Sequence, residues 1–399
     1  MKYLLLTILL FTGYNCQADY WTRKADFPGG NRDGAYSFVI NGKAYVGGGF
    51  DSTGNRTDMW EYDPTTNSWT KKSDFPQKNT YFCVHFAIGN NGFVGLGYTY
   101  TFSTTDSLFK YNSITDTWSP IPCYPSGNRA YATAFVLNNI AYVGTGLDTY
   151  GNILYTDDFY SYNPSTNAWD SVPNMPLRYS FNSVAFTIED TGYVIGLNVG
   201  GGPTDTLFAY YSCFNQWFFK KSIPADTPRA DAIAFSIGKF GYFGTGDCGS
   251  GTFLNDFYEY NSLTNSWNRK APIPLAGVDE ATAFSIGLHG YICFEGEGGH
   301  LVGDTAQLWE YTPDFATSIN TIYTLEASAY PNPFTTQLII QTSAPNTRFN
   351  ITDMSGKLIC YGTTVGKQEV INTATWRQGT YFVELVSPDG GREVRKVVK

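Results

Sequence analysis

Residues Ala132–Val172, "ATAFVLNNIAYVGTGLDTYGNILYTDDFYSYNPSTNAWDSV", decide how the chain is read. Four short runs of β-branched, aromatic and alternating residues stand in it: "ATAFVL", "IAYVGTG", "DFYSYNP" and "AWDSV". Turn formers separate them, "NN" after the first run and "NPSTN" after the third, so the stretch reads as four antiparallel strands joined by hairpins. Working outward, the same text recurs. Trp21, Trp69, Trp118, Trp169, Trp217 and Trp267 lie 48, 49, 51, 48 and 50 residues apart. Seven residues before five of them stand Tyr62, Tyr111, Tyr162, Tyr210 and Tyr260, and a sixth such Tyr, Tyr311, has no Trp after it. Upstream, Phe38, Phe86, Phe135, Phe186, Phe235 and Phe284 are each followed seven residues later by Tyr45, Phe93, Tyr142, Tyr193, Tyr242 or Tyr291. A four-stranded unit repeating about every 50 residues is the signature of a β-propeller blade.

The six copies resemble the kelch repeat. The matching marks are the Gly pair after strand two (Gly47/Gly49, Gly95/Gly97, Gly144/Gly146, Gly244/Gly246), the Tyr ending strand three and the Trp opening strand four. Units 4 and 6 depart, with Ile195/Leu197 and Cys293/Glu295 in place of the Gly pair. The first Trp precedes every Phe, and the last Tyr lacks a Trp. Six blades therefore close if "YWTRKA", within residues 19–28, supplies the fourth strand of the last blade. Closure of this kind leaves no open blade edge. The expected fold is all-β: a six-bladed propeller over 19–315, a linker over 316–328 and a small Ig-like β-sandwich over 329–399.

That last part opens with "AYPNPF" and continues as short alternating strands with "MSGK" and "SPDGG" turns. It resembles the C-terminal sorting domains of the type IX secretion system of Bacteroidetes. The residues that carry the likeness are Tyr330, Pro331, Asn332, Pro333 and Phe334, the "DMSGK" turn with Gly356, "GTYFVEL" with Gly379 and Tyr381, and the basic end at Lys396–Lys399. The resemblance implies the type IX machinery as partner, passage across the outer membrane, and a protein released or held at the cell surface. A carbohydrate-binding sandwich is the competing reading of the same strands. Residues 1–18 carry one Lys, an apolar run too short to span a bilayer and a small-residue ending "CQA", the pattern of a secretory signal peptide. Cys16 offers a lipoprotein alternative.

Composition narrows the function. Charged residues make up 15%, aromatics 17%, and the net charge is −9 with no basic block before the C-terminal end. Nucleic acid as a partner is thereby disfavoured. No transmembrane segment is expected. The six cysteines beyond the leader show no CxxC, and their pairing is left open. There is no P-loop, HExxH or zinc pattern, so no cofactor and no metal are expected. The three histidines, His85, His289 and His300, fall on different parts of the unit, which disfavours copper-oxidase and Ser-His-Asp chemistry.

Site residues are sought on the face holding the long loops between strands two and three. Six residues before the strand-one Phe stand Arg32, Thr80, Arg129, Ser180, Arg229 and Val278. Three Arg in alternate blades, with Arg178 nearby, could bind an anion; the competing reading is that they brace blade against blade. Acidic residues gather in the last unit: Asp279, Glu280, Glu295, Glu297 and Asp304. Glu295 and Glu280 are the catalytic candidates if there is chemistry. The expectation is a non-catalytic module that binds a protein or a glycan. The alternatives are a glycan-acting enzyme similar to the kelch sialic-acid mutarotases, and a scaffold in a surface complex.

Overall fold

The computed structural model describes residues 18–77, 81–99, 103–149, 154–178, 180–199, 202–212, 214–224, 228–249, 252–293, 306–314, 325–354, 357–388 and 392–399. Residues 1–17, which hold most of the expected signal peptide, most of the linker, Thr80, Cys213, Gly356 and the loop with Glu295, Glu297, His300 and Asp304 lie outside them.

Six four-stranded antiparallel sheets form the first part of the chain. The third blade is typical, with strands Thr133–Leu137, Ile140–Gly144, Phe159–Asn163 and Ala168–Val172 in that spatial order. The first strands of the blades neighbour one another in a ring, from Tyr36–Ile40 through Thr282–Ile286 and back to Tyr36–Ile40. The ring closes as the Trp count requires. Tyr20–Arg23 pairs antiparallel with Leu308–Thr312, placing Trp21 opposite Tyr311. The N-terminal strand thus completes blade 6.

The repeated aromatics are core. Tyr62, Tyr111, Tyr162, Tyr210, Tyr260 and Tyr311 are all at most 1% exposed. Each faces its Trp across the strand pair with ring centroids 4.9–5.0 Å apart, a geometry worth about 0.5–1.5 kcal/mol beyond area burial. The Trp does a second job. Every one of the six indole N–H groups donates to a carbonyl just past the fourth strand of the preceding blade, at 2.8–3.0 Å: Trp69 to Ala25, Trp118 to Ser73, Trp169 to Pro122, Trp217 to Pro173, Trp267 to Lys221 and Trp21 to Ala271. The Tyr hydroxyls likewise have one partner type. Tyr62, Tyr162, Tyr210 and Tyr260 donate to Asn67, Asn167, Asn215 and Asn265, and Tyr111 donates to Asp116. Those acceptors sit at φ near 50° in the hairpin, a conformation Asn and Asp tolerate well. Blade 6 has no such hairpin, and Asp19 takes the place, accepting from Tyr311 at 3.0 Å and from the Ala271 amide at 2.6 Å.

Blades pack through a ring laid on a small residue. Phe38, Phe135, Phe186 and Phe235 lie over Gly92, Gly192, Gly241 and Gly290 of the next blade, so closely that an added Cβ would come within 2.1–2.3 Å of the ring. The equivalent positions in blades 1 and 3 are Ala44 and Ala141, both fully buried. Close approach of strand backbone to a neighbouring ring is what fixes these residues as small.

The C-terminal part forms two sheets. One contains Ala327–Tyr330, Gln337–Thr342 and Gln368–Asn372; the other contains Arg348–Asp353, Leu358–Thr363, Thr380–Val386 and Arg392–Val398. Their facing sides share a core of Phe334, Leu338, Ile340, Phe349, Ile351, Val383 and Leu385. The opener "YPNPF" ties the two ends together. Phe334 packs edge-on to Trp376 at 5.9 Å, while Asn332 donates to the Lys396 carbonyl and accepts from the Val398 amide at 3.1 and 2.9 Å. Gly379 and Lys399 exchange backbone hydrogen bonds, and the Tyr381 hydroxyl donates to the Arg377 carbonyl.

Candidate functional site at the channel mouth

The Arg register comes first, because the sequence pointed to it. Arg32, Arg129 and Arg229 are 3%, 1% and 0% exposed. Each guanidinium is held inside its own blade by the Asp directly before strand three. Arg32 meets Asp58 at 2.7 and 3.3 Å, Arg129 meets Asp158, and Arg229 meets Asp256. Each also donates to a backbone carbonyl beyond strand two, that of Gly48, Thr145 or Thr245, and sits over an aromatic ring, Phe27, Tyr124 or Phe243. Burial works against the Asp58 charge, yet the Arg32 hydrogen bond and charge hold its carboxyl below the usual carboxylate range. Where the Arg is missing, so is the Asp: blades 2, 4 and 6 have Ser107, Thr206 and Gln307 directly before strand three. The brace runs within a blade rather than between blades, and none of the three Arg lines the channel cavities walled by described residues. Arg178 is exposed on the surface.

A different register lines the mouth of the central channel. Four residues before each strand-one Phe stand Gly34, Phe82, Tyr131, Asn182, Asp231 and Glu280, all with φ between 52° and 60°. The left-handed turn lets the backbone form a belt. The Phe82 amide donates to the Gly34 carbonyl, Tyr131 to Phe82, Asn182 to Tyr131, and Glu280 to Asp231, at 3.0–3.4 Å. The belt's hydrogen bonds stabilise a conformation that costs of order 1 kcal/mol or more at each non-Gly residue. It turns five side chains of differing chemistry around one opening, with Gly34 at the sixth position. A cleft of about 110 Å³ lies there, walled by Phe82, Tyr131, Asn182, Asp231 and Glu280 with His85 at its floor.

One side of the mouth is aromatic. Phe82 lies across Gly34, and Tyr131 stacks on Phe82 with centroids 4.2 Å apart. Tyr81, Tyr98 and Phe181 surround the pair, with Tyr155 stacked on Phe181 at 5.0 Å. The other side is acidic. Asn182 donates its amide to the Asp231 carboxylate. Burial and the nearby charges of Asp231 and Asp33 push Glu280 up to about 9, and the same two causes push Asp279 to about 7. Burial raises Asp231 to about 6 against the lowering effect of Asn182. Below them, channel-facing positions of strand one are Ser37, Ala134, Ala185, Ala234 and Ala283, with His85 the exception. His85 touches channel solvent but is enclosed by protein, and that burial lowers its imidazole to about 4, so it is neutral at pH 7.

Among the described candidates from the sequence, Glu280 lines this cleft; Glu295 lies outside the described residues. Phe82, Tyr131, Asn182 and Asp231 were missed. Their signal was present: a position of fixed spacing whose residue type changes in every blade, beside Phe, Tyr and Trp positions that never do.

Comparison with known proteins fits this architecture. The kelch motif family matches residues 34–76, the first blade, and the secretion system C-terminal sorting domain family matches residues 328–399. The chain is a six-bladed propeller that carries a kelch motif in its first blade and ends in a type IX sorting domain. A solved structure titled "Structure of YjhT" is similar to the kelch propeller with a TM-score of 0.60 and 17% identity, covering 71% of this chain and 96% of that one. At this identity the likeness speaks for the fold alone. No curated protein matches the chain. The sorting domain makes the kelch propeller cargo of the type IX machinery, consistent with a secreted or surface location. Among the described residues no helix is long and apolar enough to cross a membrane, and no cluster of His, Cys, Asp and Glu could hold a metal ion.

Proposed function

We propose that the secreted propeller is a binding module that holds a neutral or amino sugar at its channel mouth. The observation that carries this is the pairing, in one cleft, of a stacked aromatic platform (Phe82, Tyr131) with oxygen acceptors (Asn182, Asp231, Glu280). A sugar ring has an apolar C–H face and a polar rim. An aromatic face covers the first and carboxyl or amide groups bond the second, the common design of a small-ligand site. Among the described residues the cleft walls contain no Lys or Arg, and the Arg of alternate blades are occupied by Asp58, Asp158 and Asp256. An anionic sugar would face the Asp231 carboxylate with no cation beside it among the described residues, whereas a hydroxyl or an ammonium donates to that carboxylate.

One observation favours a second reading. Two neighbouring carboxyl groups with upward-shifted proton affinity, Glu280 and Asp231, could exchange protons with a bound sugar. This would make the protein a glycan-acting enzyme in which Glu280 donates or takes a proton. Glycan-array binding with the wild type, Tyr131→Ala and Glu280→Gln separates the readings. Binding of uncharged or amino glycans, reduced at least about tenfold by Tyr131→Ala, supports the module. Conversion of the bound sugar, seen by NMR and abolished in Glu280→Gln, supports the enzyme. Exclusive binding of sialylated or sulfated glycans overturns the ligand class.

A further inference from the structure

Five blades join their third strand to their fourth by a hairpin, which keeps one pattern in all but blade 4. It reads "DPTTN" at 63–67, "NSITD" at 112–116, "NPSTN" at 163–167 and "NSLTN" at 261–265, with Thr in the fourth place each time. In blade 4 it reads "YSCFN" at 211–215, and Phe214 stands where the others have Thr66, Thr115, Thr166 and Thr264. Those four Thr are exposed, whereas Phe214 is half-buried. The turn itself does not require the change, because Tyr210 still bonds Asn215 at 2.6 Å as in the other blades.

The sorting domain accounts for it. Phe214 meets Phe349 edge-on at 6.0 Å and lies against Gly362, where an added Cβ would be 2.8 Å from its ring. Phe349 is fully buried, so Phe214 joins the sorting-domain core while still packing on Tyr211 and Phe218 of its own blade. The Ser212 hydroxyl and the Tyr361 hydroxyl share a hydrogen bond of 2.8 Å. Charges flank the contact in complementary order. Arg348 pairs with Glu189 in the first hairpin of blade 4, and Lys220 acts on the Glu369 carboxyl. Glu369 is raised by burial, with Lys220 among the opposing causes. Hairpins one–two and three–four lie on the propeller face opposite the channel mouth, since antiparallel strands return their connections to alternate ends.

We infer that the "YSCFN" hairpin of blade 4 is a dedicated dock for the chain's own sorting domain, which is carried in one fixed arrangement on the face away from the ligand cleft. The ligand cleft is open while the sorting domain is attached, and the dock becomes an exposed aromatic patch once that domain is gone.

The full chain tests this. Phe214→Thr restores the residue the other blades use, so the hairpin keeps its fold, with circular dichroism and thermal unfolding as the control. Small-angle scattering of the wild type should fit one compact particle. In Phe214→Thr the radius of gyration should rise, and amide exchange in 348–363 should quicken about fivefold or more. Glu189→Arg and Arg348→Glu should each loosen the pair, and the double swap should restore it. A wild type that scatters as two freely tethered bodies, or a Phe214→Thr protein identical to it in both measurements, overturns the dock.

Discussion

At the scale of the residue, the Arg register shows how one pattern supports two readings. Three Arg in alternate blades look like a converging anion site until their Asp partners are counted with them. Each pair is a buried ion pair whose half-removal leaves a charge without a partner. Arg129→Ala should therefore cost about 3 kcal/mol of stability, with Asp158→Asn in the same chain recovering part of it. Ligand affinity should be unchanged. Denaturant unfolding and binding measured on one preparation check both points. Lost binding at unaltered stability would return the Arg to the site. This was legible in the sequence to the extent that Asp58, Asp158 and Asp256 directly precede strand three only where an Arg stands in the unit. The direction of each guanidinium was not, since it depends on loop backbone such as the Gly48 carbonyl. Tyr131 and Asp231 stand at a position of visible fixed spacing, yet their meeting at one mouth was not legible, for a related reason. Their left-handed backbone is supported by the belt between blades, a contact that exists only in the closed ring.

At the scale of the element, the N-terminal strand carries the ring. Trp21 gives the sixth inter-blade indole bond, and Asp19 replaces the Asn that the other blades supply from a hairpin. The sequence revealed the strand by arithmetic, because a Trp without a preceding Tyr matches a Tyr without a following Trp. It could not reveal Asp19, which lies outside the repeat and acts only through its position beside Ala271 and Tyr311. Deleting Asp19–Asp26 should expose Tyr311 and open blade 6, lowering the melting temperature of the whole propeller by roughly 10 °C or more. Calorimetry checks this, and a deletion that melts like the wild type would refute closure by this strand.

At the scale of the molecule, the channel mouth gathers Asp33, Asp231, Asp247, Asp279 and Glu280 from blades 1, 5 and 6, with neutral His85 beneath. Burial raises Asp231, Asp279 and Glu280 above their unfolded values. A carboxyl raised in the folded state favours folding while protonated. Its contribution is full below about pH 4 and is lost as pH rises through the folded value. With folded values of about 6, 7 and 9, the propeller should lose stability steadily between about pH 5 and pH 9. Glu280→Gln, which cannot ionise, should melt higher than the wild type at pH 9 and show a shallower pH profile. Equal profiles would mean that Glu280 is not buried among like charges. The lowered carboxyl of Asp58 acts in the other direction, its contribution falling away only in acid.

By itself the sequence determined the blade count, the closing strand and the sorting domain. The first two rest on local periodicity and on apolar spacing, which strands obey whatever surrounds them; the third rests on the likeness of motifs such as "YPNPF" and "GTYFVEL" to a known family. The tertiary structure decided three things: that the Arg are braces, that six variable residues share one mouth, and that Phe214 faces the sorting domain. Each of these joins residues far apart in the chain, and only closure of the ring brings such partners within reach.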